Sequence, residues 1–159
     1  MTPAVIAIAS DHAGFPLKSE LAAMLREAGL EVLDLGTDGP QSVDYPDFAY
    51  EMARALKYGR ASRGVLVCGT GLGISIAANR YPWVRAALCH DVTTARLSRD
   101  HNDANVIALG GRLLGIELAR ECVEAFLVTE FGGDRHARRV GKLTSPPDLG
   151  DTASATTGD

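Results

Sequence analysis

The chain has 159 residues, room for one domain and not for two with separate cores. With 46% hydrophobic and 23% charged residues it has an ordinary globular balance, which excludes wholesale disorder. A net charge of −4 excludes the broad basic footprint of general nucleic-acid or membrane-surface binding, yet thirteen of the sixteen cations are Arg, so a small anionic ligand stays open.

In chain order, residues 4–9 (AVIAIA) read as a buried strand ending at the polar SDHAG. Residues 16–28 place Leu17, Leu21, Met24, Leu25 and Ala28 at helical spacing, with Gly29 as the stop. Residues 31–35 (EVLDL) are a second strand, and residues 45–58 a second helix, started by Asp44 before Tyr45-Pro46. A third strand (64–68, GVLVC) runs into the glycine-rich GTGLG and a helix over about 74–79. A fourth strand (84–89, VRAALC) precedes a helix over about 92–99. The fifth strand (105–109, NVIAL) leads through GGR to a helix over 116–128, and a last helix covers 134–142. Strands alternating with helices of 10–15 residues specify βαβ crossovers: an α/β fold, one doubly wound, Rossmann-like, five-stranded parallel sheet with helices on both faces. The domain is read as residues 1–143. The tail 144–159, rich in Pro, Gly, Ser and Thr, is expected to be disordered.

The N-terminus lacks the basic start of a signal peptide, and no apolar run approaches the ~18 residues of a membrane span. Cys68, Cys89 and Cys122 form no CxxC pair and no zinc-spaced cluster. The expectation is a protein of a reducing compartment, the cytoplasm, with no metal site.

Ligands of such sheets bind beyond the carboxyl ends of the strands, where the strand order reverses. The first strand is followed by Asp11-His12-Ala13-Gly14, the third by Cys68 and then Gly69-Thr70-Gly71-Leu72-Gly73, and the fifth by Gly110-Gly111-Arg112. His101-Asn102-Asp103, between the fourth helix and the fifth strand, is grouped with these loops. Alternate glycines before a helix let several N–H groups converge on a phosphate or a developing oxyanion; a simple tight turn is the other reading. The loop is neither a Walker loop nor a GxGxxG fingerprint. Cys68 stands where a thiolate is favoured, whereas Cys89 and Cys122 read as small buried apolar residues. Arg135 and Arg139, four apart, share one face of the last helix and can close on one anion, while Arg138 points elsewhere; His136 reads as exposed.

Five strings in order, SDHAGFPLK, DYPDFA, CGTGLGISIAANR, HNDANVIALGGR and GGDRHARRV, resemble the type B ribose-5-phosphate isomerases, whose relatives act on galactose 6-phosphate and allose 6-phosphate. The resemblance implies a cofactor-free aldose–ketose isomerase, interconverting D-ribose 5-phosphate and D-ribulose 5-phosphate through a cis-enediolate. It also implies a homodimer, or a tetramer, with sites at the subunit boundary. Carried over by position, Cys68 is the base and the backbone of Gly69, Thr70, Gly71, Leu72 and Gly73 cradles the enediolate, with Thr70 next to the reacting oxygens. Asp11 and His101 open the furanose ring, and Asn102 touches the sugar. His12, Arg112, Arg135 and Arg139 hold the phosphate, and Tyr45 lines the pocket. Some members carry Glu at the start of the helix after the loop in place of the cysteine; Ile74 occupies that position here. A six-carbon phosphate substrate is the nearest alternative, and a non-catalytic nucleotide-binding α/β module the more distant one.

Overall fold

The computed structural model describes residues 4–150. Strands β1 (Val5–Ser10), β2 (Glu31–Asp34), β3 (Arg63–Cys68), β4 (Ala86–Leu88) and β5 (Val106–Gly110) form one parallel sheet in the order β2-β1-β3-β5-β4. The helices are α1 (Phe15–Glu27), α2 (Tyr45–Lys57), α3 (Leu72–Ala78), α4 (Val92–Asn102), α5 (Ile116–Val128) and α6 (Asp134–Thr144). The three central strands are buried on both faces, which is why they read as near-continuous apolar runs without alternation.

The two faces carry different side chains. On one, Ile6, Ile8, Val65, Val67, Ile107 and Leu109 meet Leu21 and Leu25 of α1, Ala95 of α4 and Cys122, Val123 and Phe126 of α5. On the other, Ala7, Ala9, Leu66 and Ala108 meet Ala49, Met52 and Ala53 of α2 and Ile74, Ala77 and Ala78 of α3. Helices therefore cover both faces, as the sequence pattern requires. The chain goes outward from β1 to β2 and returns to β3, so the reversal falls between β1 and β3, with α1 and α3 leaving on opposite faces. That opens a crevice at the carboxyl ends of these two strands.

Several boundaries move. The fourth strand is paired only over Ala86–Leu88, not 84–89. Its entry is held by side chains: Asn105 Oδ1 accepts from the Arg85 N–H, and Asn79 Oδ1 from the Ala86 N–H, both at 2.8 Å. Helix α3 starts at Leu72, so Gly73 lies in its first turn. Helix α4 runs through His101 to Asn102, a turn past residue 99, and closes on Asp103 at a left-handed φ of 45°. Arg99 and Arg85 both grip the Asp103 carboxylate, at 2.8 and 3.1 Å. Thr144, assigned to the tail, closes α6; residues 145–150 have no regular structure, and 151–159 lie outside the described residues. Asp44 is the N-cap residue of α2, but its side chain makes no capping hydrogen bond. Among the described residues no helix is long and apolar enough to cross a membrane.

Gly14 shows how tightly the crevice is built, since a Cβ there would stand 2.5 Å from the Val67 carbonyl oxygen. Gly141, inside α6, has nothing within 4 Å of its missing Cβ. Gly14→Ala should destabilise the fold by roughly 2 kcal/mol or more through forced backbone displacement. Gly141→Ala should stabilise α6 by up to about 1 kcal/mol. Thermal unfolding midpoints check both, at ~2–4 °C per kcal/mol for a chain of this size.

Candidate active site

Three carboxyl-end loops converge on the crevice. A Cβ on Gly111, just past β5, would lie 3.2 Å from the Ala13 carbonyl oxygen, 3.3 Å from the Gly14 Cα and 3.5 Å from the Cys68 carbonyl oxygen. The loops are stitched by backbone: the Gly111 N–H donates to the Cys68 carbonyl at 2.8 Å, that of Arg112 to Gly69 at 3.0 Å, and that of Asp11 to Val67 at 3.3 Å.

Cys68 ends β3 with its side chain buried, and the Gly71 N–H donates to its sulfur at 3.1 Å. That N–H is the hydrogen-bond partner of the sulfur among the described residues. Gly71 makes this possible with a left-handed φ of 78°, and a Cβ there would stand 2.6 Å from Leu88 Cδ1 and 2.9 Å from the Leu109 carbonyl carbon. The Leu72 N–H turns back onto the exposed Thr70 hydroxyl at 3.2 Å. Arg112 lies over Gly69, its Nη1 3.2 Å from where a Cβ would stand, and the Tyr45 ring packs on Gly73, 2.5 Å from such a Cβ. Asp11, nearly buried, accepts from the Gly14 N–H at 2.9 Å. The Val43 N–H donates to His12 Nδ1 at 3.1 Å, which fixes that ring as the Nε2–H tautomer and leaves Nε2 a donor. Ile74 points into the alanine-lined core, fully buried, so no acid or base occupies that position.

The fold therefore gathers Asp11, His12, Tyr45, Cys68, the 69–73 loop and Arg112 at one end. It does not gather His101, Asn102, Arg135 and Arg139 with them. The grouping of His101-Asn102 with carboxyl-end loops is corrected: they form the last turn of α4, at the amino end of β5. The five residues of β5 alone, at roughly 3.3 Å each, put about 16 Å between the two ends. The second group is organised in its own right. His101 and His136 stack with ring centroids 4.4 Å apart and planes 14° apart, and Gly132 N–H donates to the Asp100 carbonyl at 2.9 Å, docking the start of α6 on α4. His136 is thus half-buried rather than exposed; desolvation first, then His101, Arg135 and Arg139, holds it below the ordinary histidine value. A pocket of about 240 Å³ here is lined by Asp100, Gly132, Asp134, Arg135 and His136, and a cleft of about 390 Å³ along β4 includes Asn102 and Arg85.

Two contributors escape the motif reading. The Val43 backbone leaves no trace in side-chain identity. Lys18, 1% exposed, had a signal, because Lys18, Leu21, Ala22 and Leu25 form the i, i+3, i+4, i+7 stripe that faces the core.

A profile of the Ribose/Galactose Isomerase family matches residues 6–143. The chain belongs to that family. Ribose-5-phosphate isomerase B of Escherichia coli (strain K12) is 47% identical over 140 residues, which cover 88% of this chain and 94% of that one. D-erythrulose-4-phosphate isomerase of Pectobacterium atrosepticum is 45% identical over 139 residues, 87% of this chain and 91% of its own. The structure of ribose-5-phosphate isomerase B from Clostridium thermocellum superposes with a TM-score of 0.87 at 54% identity, covering 88% of this chain and 95% of that one. The five-stranded parallel fold and the family resemblance expected from sequence both hold.

Not every cysteine of this isomerase-family chain faces the crevice. Burial pushes the Cys89 thiol up, and burial, followed by Cys89, pushes Cys122 from 9.0 to about 11. Both thiols stay protonated in the folded chain where the unfolded chain ionises, so the unfolded state binds fewer protons above pH 9 and stability falls as pH rises toward 11. The expected loss is on the order of 1–2 kcal/mol by pH 11. Urea midpoints at pH 8, 9 and 10 should show the decline, and Cys122→Ala should flatten it while lowering stability at pH 8.

Proposed function

We propose that this chain is an aldose–ketose isomerase of phosphorylated sugars, interconverting D-ribose 5-phosphate and D-ribulose 5-phosphate through a cis-enediolate with Cys68 as the base. The observation that carries the reading is the Gly71 N–H on the Cys68 sulfur at the β1/β3 crevice, inside the 69–73 loop that leads into α3. The Cys68 thiolate takes the C2 proton, the C–H electrons form the C1=C2 bond, and the C1 carbonyl oxygen becomes the oxyanion. The loop backbone meets that charge without reorganising. The electrons then return as the O2 proton leaves and C2=O forms, C1 takes the proton from the thiol, and the O2 proton ends on O1 through the Thr70 hydroxyl. Asp11 and His101 handle the proton transfers of ring opening. His12, Arg112, Arg135 and Arg139 bind the phosphate, whose remote binding energy holds the sugar in the reactive pose.

One chain cannot bring its own His101, Asn102, Arg135 and Arg139 to its own Cys68, so the working unit in this reading is a homodimer in which each crevice receives the far end of the neighbouring chain. Leu72 and Ile76, 52% and 65% exposed and one helical turn apart on α3, with Leu113 58% exposed, supply an apolar rim beside the crevice that such a neighbour would cover. Substrate length is carried less by overall similarity. The relatives named for a five-carbon and a four-carbon phosphate are nearly equally identical to this chain, at 47% and 45%.

Ribose 5-phosphate incubated with the protein alone should yield ribulose 5-phosphate, and faster than allose 6-phosphate or erythrulose 4-phosphate reacts. Cys68→Ala should lower kcat by about 10³-fold or more while the inhibition constant of a sugar phosphate changes little, because the sulfur acts on a proton and not on the phosphate. Near wild-type turnover in Cys68→Ala would remove the base assignment. The split site gives a second expectation. Cys68→Ala and His101→Ala, each inactive alone, should regain up to about a quarter of wild-type activity when unfolded and refolded together, since about half of the dimers formed are mixed and each mixed dimer holds one intact site of two. Mixtures no more active than the separate variants would place the whole site within one chain.

A further inference from the structure

Lys18 is a full-length cation with 1% exposure in the apolar stripe of α1, and it lies outside the crevice. Its ammonium donates to Asp34 Oδ1 and to the Thr37 carbonyl, both at 2.7 Å, and sits 5.4 Å from the Phe15 ring centroid. Asp34 Oδ1 also accepts from the Gly36 N–H at 2.9 Å. Only the lysine of this pair is buried, Asp34 staying partly open to solvent, and an apolar side chain of the same length would pack there without desolvating a charge. What the pair does is hold a segment in place. Past the end of β2 the chain stays laced to β1, with Leu35 N–H on the Ile8 carbonyl at 2.9 Å, Ser10 N–H on Gly36 at 2.8 Å and Thr37 N–H on Ser10 at 2.8 Å, up to the residue before Asp11. Residues 38–44 then cross without regular structure to α2. Along that crossing Val43 donates to His12 Nδ1, and at its end Tyr45 packs on Gly73.

We infer that Lys18 is a positioning residue: it clamps the root of the 34–44 arm, and through Val43 it fixes the His12 tautomer, so that it sets affinity for the phosphate end of the substrate and not the rate of proton transfer. The inference rests on the assignment of His12 to phosphate made above. Three anchors converge on residues 34–37, from α1, β1 and the arm itself. Six residues farther on, the Val43 hydrogen bond is the arm's only described polar contact with His12. Loosening the root lets Val43 drift from Nδ1, the ring samples both tautomers, and the Nε2 donor is present only part of the time.

The test uses the full chain with Lys18→Met, and the double variant Lys18→Met/Asp34→Asn in case the single one leaves Asp34 unsatisfied and fails to fold. Two readouts are taken: steady-state kinetics with ribose 5-phosphate, including inhibition by inorganic phosphate, and nitrogen-15 NMR of the His12 ring. The expected result is a KM and a phosphate inhibition constant each raised about tenfold with kcat within about twofold, together with His12 shifts moving from a single Nε2–H tautomer to an average. His12→Ala combined with Lys18→Met should be no worse than His12→Ala alone, since both act on one contact. Unchanged His12 shifts in a folded variant, a fall in kcat at constant KM, or additive losses in the combined variant would each overturn the inference. A wild-type chain that fails to isomerise ribose 5-phosphate would overturn the proposed function instead, and the His12 spectra would still decide whether Lys18 holds the arm.

Discussion

A Cβ at Gly14 would stand 2.5 Å from the Val67 carbonyl, and one at Gly110 would stand 2.8 Å from the Thr70 carbonyl. The three carboxyl-end loops meet only because backbone touches backbone at these positions. That contact sets the depth of the crevice, lets the Gly111 and Arg112 N–H groups reach β3, and places the Arg112 guanidinium over Gly69. A side chain at Gly14 would push the loop after β1 off β3, and one at Gly110 would push β5 off the loop after β3. The polar geometry of the site is thus a product of where the chain lacks side chains.

The second constraint is the asymmetry of the sheet's two faces. Alanines on one side let α2 and α3 ride close to the strands, and Gly64 completes this by admitting the Met52 thioether, whose sulfur occupies the space a Cβ would need. Close approach is what brings the Tyr45 ring onto Gly73 at the start of α3 and ties the entry of one helix to that of the other. The opposite face, filled by Ile, Leu, Val and Phe side chains, is the thick layer that holds the sheet in register.

Much of this was legible in the chain itself. Val65, Leu66 and Val67, or Val106 to Leu109, could only be strands buried on both sides, and the glycine spacing after Cys68 marked the loop that the crevice needs. The end of α4 was not legible. Asp100, His101 and Asn102 are poor helix formers, and the extra turn ends on Asp103, which Arg99 holds from one turn back and Arg85 from outside the helix. His101 and Asn102 precede β5, so they lie at its amino end whether helical or looped, and the length of α4 does not decide that. The short β4 was similarly hidden, because side-chain amides of Asn79 and Asn105, not strand pairing, satisfy the backbone at its start. Lys18 was visible as a break in an apolar stripe, but its meaning depends on a partner sixteen residues away.

The alanine-lined face has a consequence for motion. Small side chains bury little apolar area per helix, so α2 and α3 are held by less hydrophobic free energy than α1 and α5 on the opposite layer. Amide protons of α2 and α3 should therefore exchange with solvent through partial openings that leave β1, β3, β5 and the thick layer protected. These are the two helices whose first turns carry Tyr45 and the glycine loop. The wall of the crevice is drawn from the weaker cooperative unit of the fold and its floor from the stronger one, so the wall can breathe on a rigid base.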